Sequence, residues 1–250
     1  MPAPPRAIAA AGTAVGFLLG SAAARPPLRR LRAEVAHARH LAEHDPLTDL
    51  PNRYGAQRHF TRQADAGRTC AAALLDLDDF KAVNDNWGHH IGDAHLVAVA
   101  ERLAANCRLV DAFAARLSGD EFLLLLPPAD PETILRQVTV ILTRLGAPLV
   151  LPFDDTTDIA CTPRASVGVA LPEPDTTWAD LLRRADIALY KAKTQRGRAM
   201  LYSHGMCQPT SRDRRLQTRP RPDRRPDTAG IHQGMERPSP ETAETPCELG

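Results

Sequence analysis

Residues Arg116 to Phe122 read Arg-Leu-Ser-Gly-Asp-Glu-Phe and run directly into an apolar stretch, Leu123 to Leu126. A turn flanked by Ala112 to Leu117 and Glu121 to Leu126 predicts a β-hairpin with adjacent carboxylates, Asp120 and Glu121, at its bend. Upstream, the apolar run Ala71 to Leu77 finishes in Asp76-Leu77-Asp78-Asp79. Acidic ends on neighbouring strands can converge on hard cations such as Mg²⁺, which take oxygen ligands. A pair of such cations suits phosphoryl chemistry on a nucleotide. Solvation alone needs no cluster of this kind, so the pattern constrains the chain to a sheet that brings these strand ends together.

The surrounding pattern alternates helix and strand. Asn52 to Ala66 reads as a helix and Ala71 to Leu77 as a buried strand. His90 to Cys107 carries Ile91, Leu96, Val99, Ala100 and Leu103 at helical spacing, and Pro131 to Leu145 places Ile134, Val138, Ile141, Leu142 and Leu145 on one face. Arg164 to Leu171 alternates as a strand. Thr177-Trp-Ala-Asp180 resembles a capping box and starts a helix to about Thr194, and Ala199 to Tyr202 is a short final strand. This order argues for an α+β domain with a central sheet.

The segments outside that domain differ in character. Ala7 to Ala24 is uncharged and rich in Ala, Gly and Leu, and is followed by Arg25, Arg29, Arg30 and Arg32. Its length matches a membrane span, and the basic flank would keep the domain on the cytoplasmic side. A cleaved signal peptide ending near Ser21-Ala-Ala-Ala24 and an Ala-rich leader are the alternatives. Leu28, Leu31, Val35, Ala38 and Leu41 form a helical stripe over 28–44, which serves either as a coiled-coil seam pairing two chains or as a helix packed on its own domain. From Ser203 onward Pro, Arg, Ser, Thr and Asp dominate, and 203–250 reads as a disordered tail. Its arginines alternate with Asp213, Asp223 and Asp227, which favours a solvated tail over a nucleic-acid or lipid contact.

Whole-chain composition narrows the function classes. The formal net charge of +1 predicts no polyanion partner. The five cysteines are odd in number, scattered and without metal-ligand spacing, which argues for a reducing compartment and against a disulfide framework.

Four motifs in order resemble those of the GGDEF, or diguanylate cyclase, family, covering Leu41 to Tyr202. Asp45-Pro-Leu-Thr-Asp-Leu-Pro-Asn-Arg53 resembles its opening motif, and Asp76 to Asp93 its nucleotide-binding stretch. Ser118-Gly-Asp-Glu-Phe122 resembles the signature, with Ser in place of the first Gly, and Ala185 to Lys193 the last helix. The resemblance implies a palm-like fold, as in nucleotide cyclases and polymerases: a mostly antiparallel sheet flanked by helices, spanning 45–202. It implies condensation of two GTP into cyclic di-GMP and two pyrophosphates by a homodimer, with two Mg²⁺ or Mn²⁺ per site. The metal ligands it implies are Asp76, the Leu77 carbonyl, Asp120 and Glu121, with Asp120 and Glu121 catalytic. Asn84 and Asp93 would read guanine, which a carboxylate and an amide can pair. His89, Phe80 and Gly119 would contact the nucleotide, and Lys81, Lys193 and Arg198 its phosphates. Membrane attachment through 7–24 would place the domain at the inner face of the cell membrane.

The residues leave other roles open. Asn84 also suits a helix C-cap, Asp93 an N-cap, and Asp78 a local turn. Gly197-Arg198 lies one residue later than in the family, so Arg196 could replace Arg198. Arg108-Leu-Val-Asp111 has the pattern of the family's product-inhibition motif but sits one residue early, which leaves Leu109 and Ala112 in frame and predicts that this site is absent or displaced. Ser118 adds a Cβ and a hydroxyl where Gly allows a positive φ. A GGDEF domain that binds GTP or cyclic di-GMP without turnover, and acts as a regulator, is therefore the alternative to an active cyclase.

Overall fold

The computed structural model describes residues 30–207 except Asp155 and Arg196. The leader 1–27 with its apolar segment, and the tail beyond residue 207, lie outside the described residues. Among the described residues, no helix is long and apolar enough to cross a membrane.

The described part of the first helix, α1, covers residues 30–43. Then follow α2 (Arg53–Asp65), β1 (Ala71–Leu77), α3 (Phe80–Trp87), α4 (His89–Arg108), β2 (Phe113–Ser118), β3 (Glu121–Leu126), α5 (Pro131–Leu145), β4 (Leu149–Pro152), β5 (Asp158–Cys161), β6 (Ala165–Ala170), α6 (Trp178–Ala192) and β7 (Ala199–Leu201). Caps explain several boundaries. Asn52, Asp130 and Thr177 each accept a hydrogen bond from a first-turn amide of α2, α5 and α6. Pro131 supplies the φ that a first helical position prefers.

The main sheet has the order β2-β3-β1-β6-β7. The pairs β2/β3, β3/β1 and β1/β6 are antiparallel, while β6/β7 is parallel. This is the α+β, mostly antiparallel sheet flanked by helices that the sequence led us to expect. Helices cover both faces, which is why β1 reads as a continuous apolar run rather than an alternating one. Ala71, Ala73, Leu75, Phe122, Leu124 and Leu126 point into the core shared with α4 and α5. Ala72, Leu74, Leu123 and Leu125 point into a second core with α6. On that second face α6 lies directly on β6: a Cβ at Gly168 would stand 2.1 Å from the Ala185 carbonyl oxygen and from the Leu189 nitrogen.

The hairpin β4/β5 was not anticipated. It pairs only with itself, and its strands are too short for an alternation to stand out in sequence. Its Cys161 Sγ lies 3.5 Å from Nδ1 of buried His95 on α4. Burial pushes the His95 pKa down to about 4, so this ring is neutral packing. The helix α1 does not pack on its own domain: residues 30–42 are all exposed, with Leu31 at 57%, Val35 at 42% and Leu41 at 64%. Only its last turn is tied down, by an ion pair of Glu43 with Arg58 and by Asn52 Nδ2 donating to the Ala42 carbonyl at 2.9 Å.

Candidate active site

The acidic ends of β1 and β3 meet as the sequence pattern required. Asp76 and Glu121 are direct cross-strand partners, and the Leu77 amide donates to the Asp120 carbonyl at 3.2 Å. On the other side Asp76 faces Ser166 of β6, and Glu121 faces Ser118 of β2. A single row, Ser118–Glu121–Asp76–Ser166, therefore crosses the end of the sheet with its side chains on one face.

The turn that makes this row depends on Gly119. The two-residue loop Gly119–Asp120 needs a left-handed residue in its first position, and Gly119 supplies it with φ +47. Left-handed non-glycine residues among those described are Asp49, Asp79, Asp111 and Asp175; Ser118 is not one of them. The backbone demand thus falls on the glycine this chain retains, and the serine sits in ordinary strand geometry. Its hydroxyl donates to Glu121 Oε2 at 2.9 Å.

Electrostatics at the row favour bringing in positive charge. Burial pushes the Asp76 pKa up to about 6, with Asp120 and Glu121 adding to the rise and Lys193 opposing it. Burial also raises that of Asp120, again with a contribution from Glu121. Lys193, at the C-terminus of α6, donates through Nζ to Asp76 Oδ2 at 2.7 Å. The donor set, half-buried carboxylates plus backbone carbonyls, matches what Mg²⁺ and Mn²⁺ take. Among the described residues, however, no ready-made cluster of three metal-ligating side chains is present. Part of the carboxylate capacity is instead engaged by Lys193 and Ser118.

A buried clamp holds the signature hairpin. Arg116, only 9% exposed, donates through Nε and Nη2 to the Gly119 carbonyl at 3.0 and 2.9 Å. Its Nη1 reaches Asp45 Oδ1 at 2.7 Å. Asp45 also accepts from the Thr48 amide and hydroxyl at 2.9 and 2.7 Å. Burial would raise the Asp45 pKa, but the bonds from Thr48 and Arg116 outweigh it and hold the carboxyl below its usual range. The Arg116 amide further donates to the Pro51 carbonyl at 2.9 Å. The opening motif is thus a bracket for the turn that carries Asp120 and Glu121. Its only sequence signal is an arginine inside an apolar strand.

The remaining site residues fall in distinct places. Asn84 lies within α3 and Asp93 one turn into α4, whose N-cap is Gly88; neither residue caps a helix. Asn84 Oδ1 rests where a side chain on residue 92 would go, 1.9 Å from a Cβ built on Gly92. Asp93, His89 and Lys81 are exposed, and Phe80 is half-buried. Asp78 is a structural tie: Oδ1 accepts from buried Ser166 Oγ at 2.7 Å and Oδ2 from the Gly197 amide at 3.0 Å. The structure does not bring Arg198 to the carboxylate row. It lines an open groove of about 390 Å³ with Leu135, Thr139, Leu142 and Thr143 of α5. Arg196 lies outside the described residues. Arg108 ends α4, Leu109 is exposed and Asp111 is left-handed in the turn that follows.

Comparison with known proteins adds to this geometry. The family model described as "Diguanylate cyclase, GGDEF domain" matches residues 42–199. The diguanylate cyclase TpbB of Pseudomonas aeruginosa is 41% identical over 172 residues, 66% of this chain and 38% of TpbB. The solved GGDEF domain of TpbB superimposes with a TM-score of 0.55 at 35% identity, covering 64% of this chain and 94% of that one. The coiled coil and GGDEF domain of DgcB from Caulobacter crescentus, solved with cyclic di-GMP, superimposes with a TM-score of 0.62 at 28% identity, covering 75% and 98%. The match spans well under half the length of TpbB, and 22% of the bifunctional diguanylate cyclase/phosphodiesterase MucR of P. aeruginosa.

Proposed function

This chain belongs to the GGDEF, diguanylate cyclase, family, and from that premise we propose that it condenses two GTP into cyclic di-GMP and two pyrophosphates. The observation that carries the reading is the row at the sheet end, where Asp76 faces Glu121 beside Asp120, with Lys193 on Asp76. Each ribose 3′-oxygen forms a bond to the α-phosphorus of the other nucleotide. The bond from that phosphorus to pyrophosphate breaks, and the 3′-hydroxyl proton passes to a carboxylate.

Asp120 and Glu121 are the proton acceptors at hand, and burial raises the Asp120 pKa, which makes its carboxylate the more basic. Asp76, the Leu77 carbonyl, Asp120 and Glu121 are the residues that would hold two Mg²⁺ or Mn²⁺. Cations held there would supply neutralisation of phosphate charge and a lowered pKa for the 3′-hydroxyl. Lys193, which donates to Asp76, would also be within the reach of a nucleotide phosphate bound at the row, and Lys81 and the amides that open α3 would add to the phosphate site. Asn84 and Asp93, on the adjoining helices α3 and α4, select guanine, with Phe80, His89 and Gly119 completing the nucleotide contacts.

One domain holds one GTP, so two must meet face to face. The exposed Leu31 and Val35 of α1 support pairing of two chains through this helix, which raises the effective concentration of one site near the other. The segment 7–24 would add attachment to the inner face of the membrane. The second reading, a domain that binds GTP or cyclic di-GMP without turnover, is favoured by one observation: Arg198 lines the α5 groove instead of the carboxylate row. Incubation of the purified chain with GTP and Mg²⁺, followed by product chromatography, separates the two. Cyclic di-GMP formation dependent on Glu121 supports the first reading; GTP binding with no product supports the second.

A further inference from the structure

The serine that stands at the first signature position makes a contact that glycine cannot. Leu117 forms an irregularity in the β2/β3 ladder: Arg116 pairs with Phe122, and the next pair is Ser118 with Glu121. That extra residue is a β-bulge, which re-aims the side chains after it. Its effect here is to set Ser118 directly opposite Glu121 on the same face, where the hydroxyl donates to Oε2 at 2.9 Å. Glu121 Oε1 takes no hydrogen bond from any described residue. Ser118 is exposed and free of left-handed strain, so nothing about packing or backbone requires the hydroxyl.

We propose that Ser118 is a positioning residue that tethers one oxygen of Glu121 and leaves the other directed to a divalent cation. The inference deepens the cyclase reading and rests on Glu121 being a cation ligand. A carboxylate at the end of a flexible side chain loses conformational freedom when it takes a ligand. A hydrogen bond made beforehand removes part of that loss. Outer hydrogen-bond partners of metal ligands commonly contribute about 10- to 100-fold in affinity. A lone hydroxyl, itself exposed, on a half-buried carboxylate belongs at the low end of that range. The substitution therefore does not mark a decayed site; it replaces backbone freedom, which this turn does not use at that position, with a fixed ligand orientation.

The test is Mn²⁺ binding to the full chain without nucleotide, read from the electron paramagnetic resonance signal of free Mn²⁺. Ser118→Ala and Ser118→Gly are both expected to weaken binding about tenfold, and Ser118→Thr, which keeps the hydroxyl and suits a strand, to restore it. Unchanged or tighter binding by Ser118→Ala would overturn the tether. So would failure of Ser118→Thr to restore binding in a variant with the wild-type circular dichroism spectrum and melting temperature. Unaltered Mn²⁺ affinity in Glu121→Gln would overturn it as well, because the tether acts through that residue. If the wild-type chain makes no cyclic di-GMP while hydroxyl-dependent Mn²⁺ binding persists, the tether stands and the cyclase reading falls.

Discussion

Replacing Asp76 by Asn should make the cation-free protein more stable while removing its response to cations. Burial lifts the Asp76 pKa from its ordinary 3.8 to about 6, so the ionised carboxylate is disfavoured in the folded state. At pH 7.5 that difference corresponds to about 3 kcal/mol. The side chain keeps 15% of its surface in water, and solvent screening trims the figure to about 2 kcal/mol. The sign follows from the direction of the shift. A carboxyl whose folded pKa is raised contributes its stability in full below pH 3.8, and loses it as the pH rises through about 6. Asn, like protonated Asp, carries no such penalty, and Lys193, which is 36% exposed, can return to solvent. Urea unfolding of the cation-free protein should therefore show Asp76→Asn gaining about 2 kcal/mol at pH 7.5 and under about 1 kcal/mol at pH 4.5. Mn²⁺ should raise the unfolding midpoint of the wild type and leave the variant unmoved. A variant less stable than wild type at pH 7.5, or one with the same gain at both pH values, would refute the reasoning.

Other expectations test the scaffold and the base site. Asp45→Ala strands the Arg116 guanidinium inside the hairpin bracket; thermal unfolding should show a loss of about 2–4 kcal/mol, and turnover should fall with it although Asp45 touches no substrate. Gly168→Ala drives a Cβ into the α6 backbone at 2.1 Å, so denaturant unfolding should show a loss of about 3 kcal/mol, whereas Gly197→Ala, with nothing within 4 Å of its Cβ, should be limited to the strain of its positive φ, about 1–2 kcal/mol. Asp93→Ala should weaken GTP binding about 5- to 30-fold, equivalent to about 1–2 kcal/mol, with ATP binding unchanged in the same calorimetric titration. Equal weakening of both nucleotides would assign Asp93 no part in choosing the base.

The central elements were legible because each carries a signal within its own stretch of chain. The bounds of β1 and α5 coincide with their apolar patterns, and the starts of α2 and α6 follow from residues that cap locally. The acidic strand ends announced a converging site for the same reason: apolar runs have to enter a sheet, and a carboxylate at the end of one stays at its rim. What sequence left open were questions of partner and register. Whether Asn84 and Asp93 cap helices depended on where α3 ends and α4 begins, which a left-handed Gly88 decides. Whether Ser118 is tolerated depended on which residue of the turn bears the positive φ, and on the Leu117 bulge that turns the hydroxyl toward Glu121. The Asp45–Arg116 bracket joins residues far apart in the chain, and hydrogen bonds of that range leave no periodicity in sequence. Local pattern determined which segments are helix or strand and which strand ends are acidic. Tertiary packing alone decided which side chains face one another, because register and bulges arise between strands and not within any one of them.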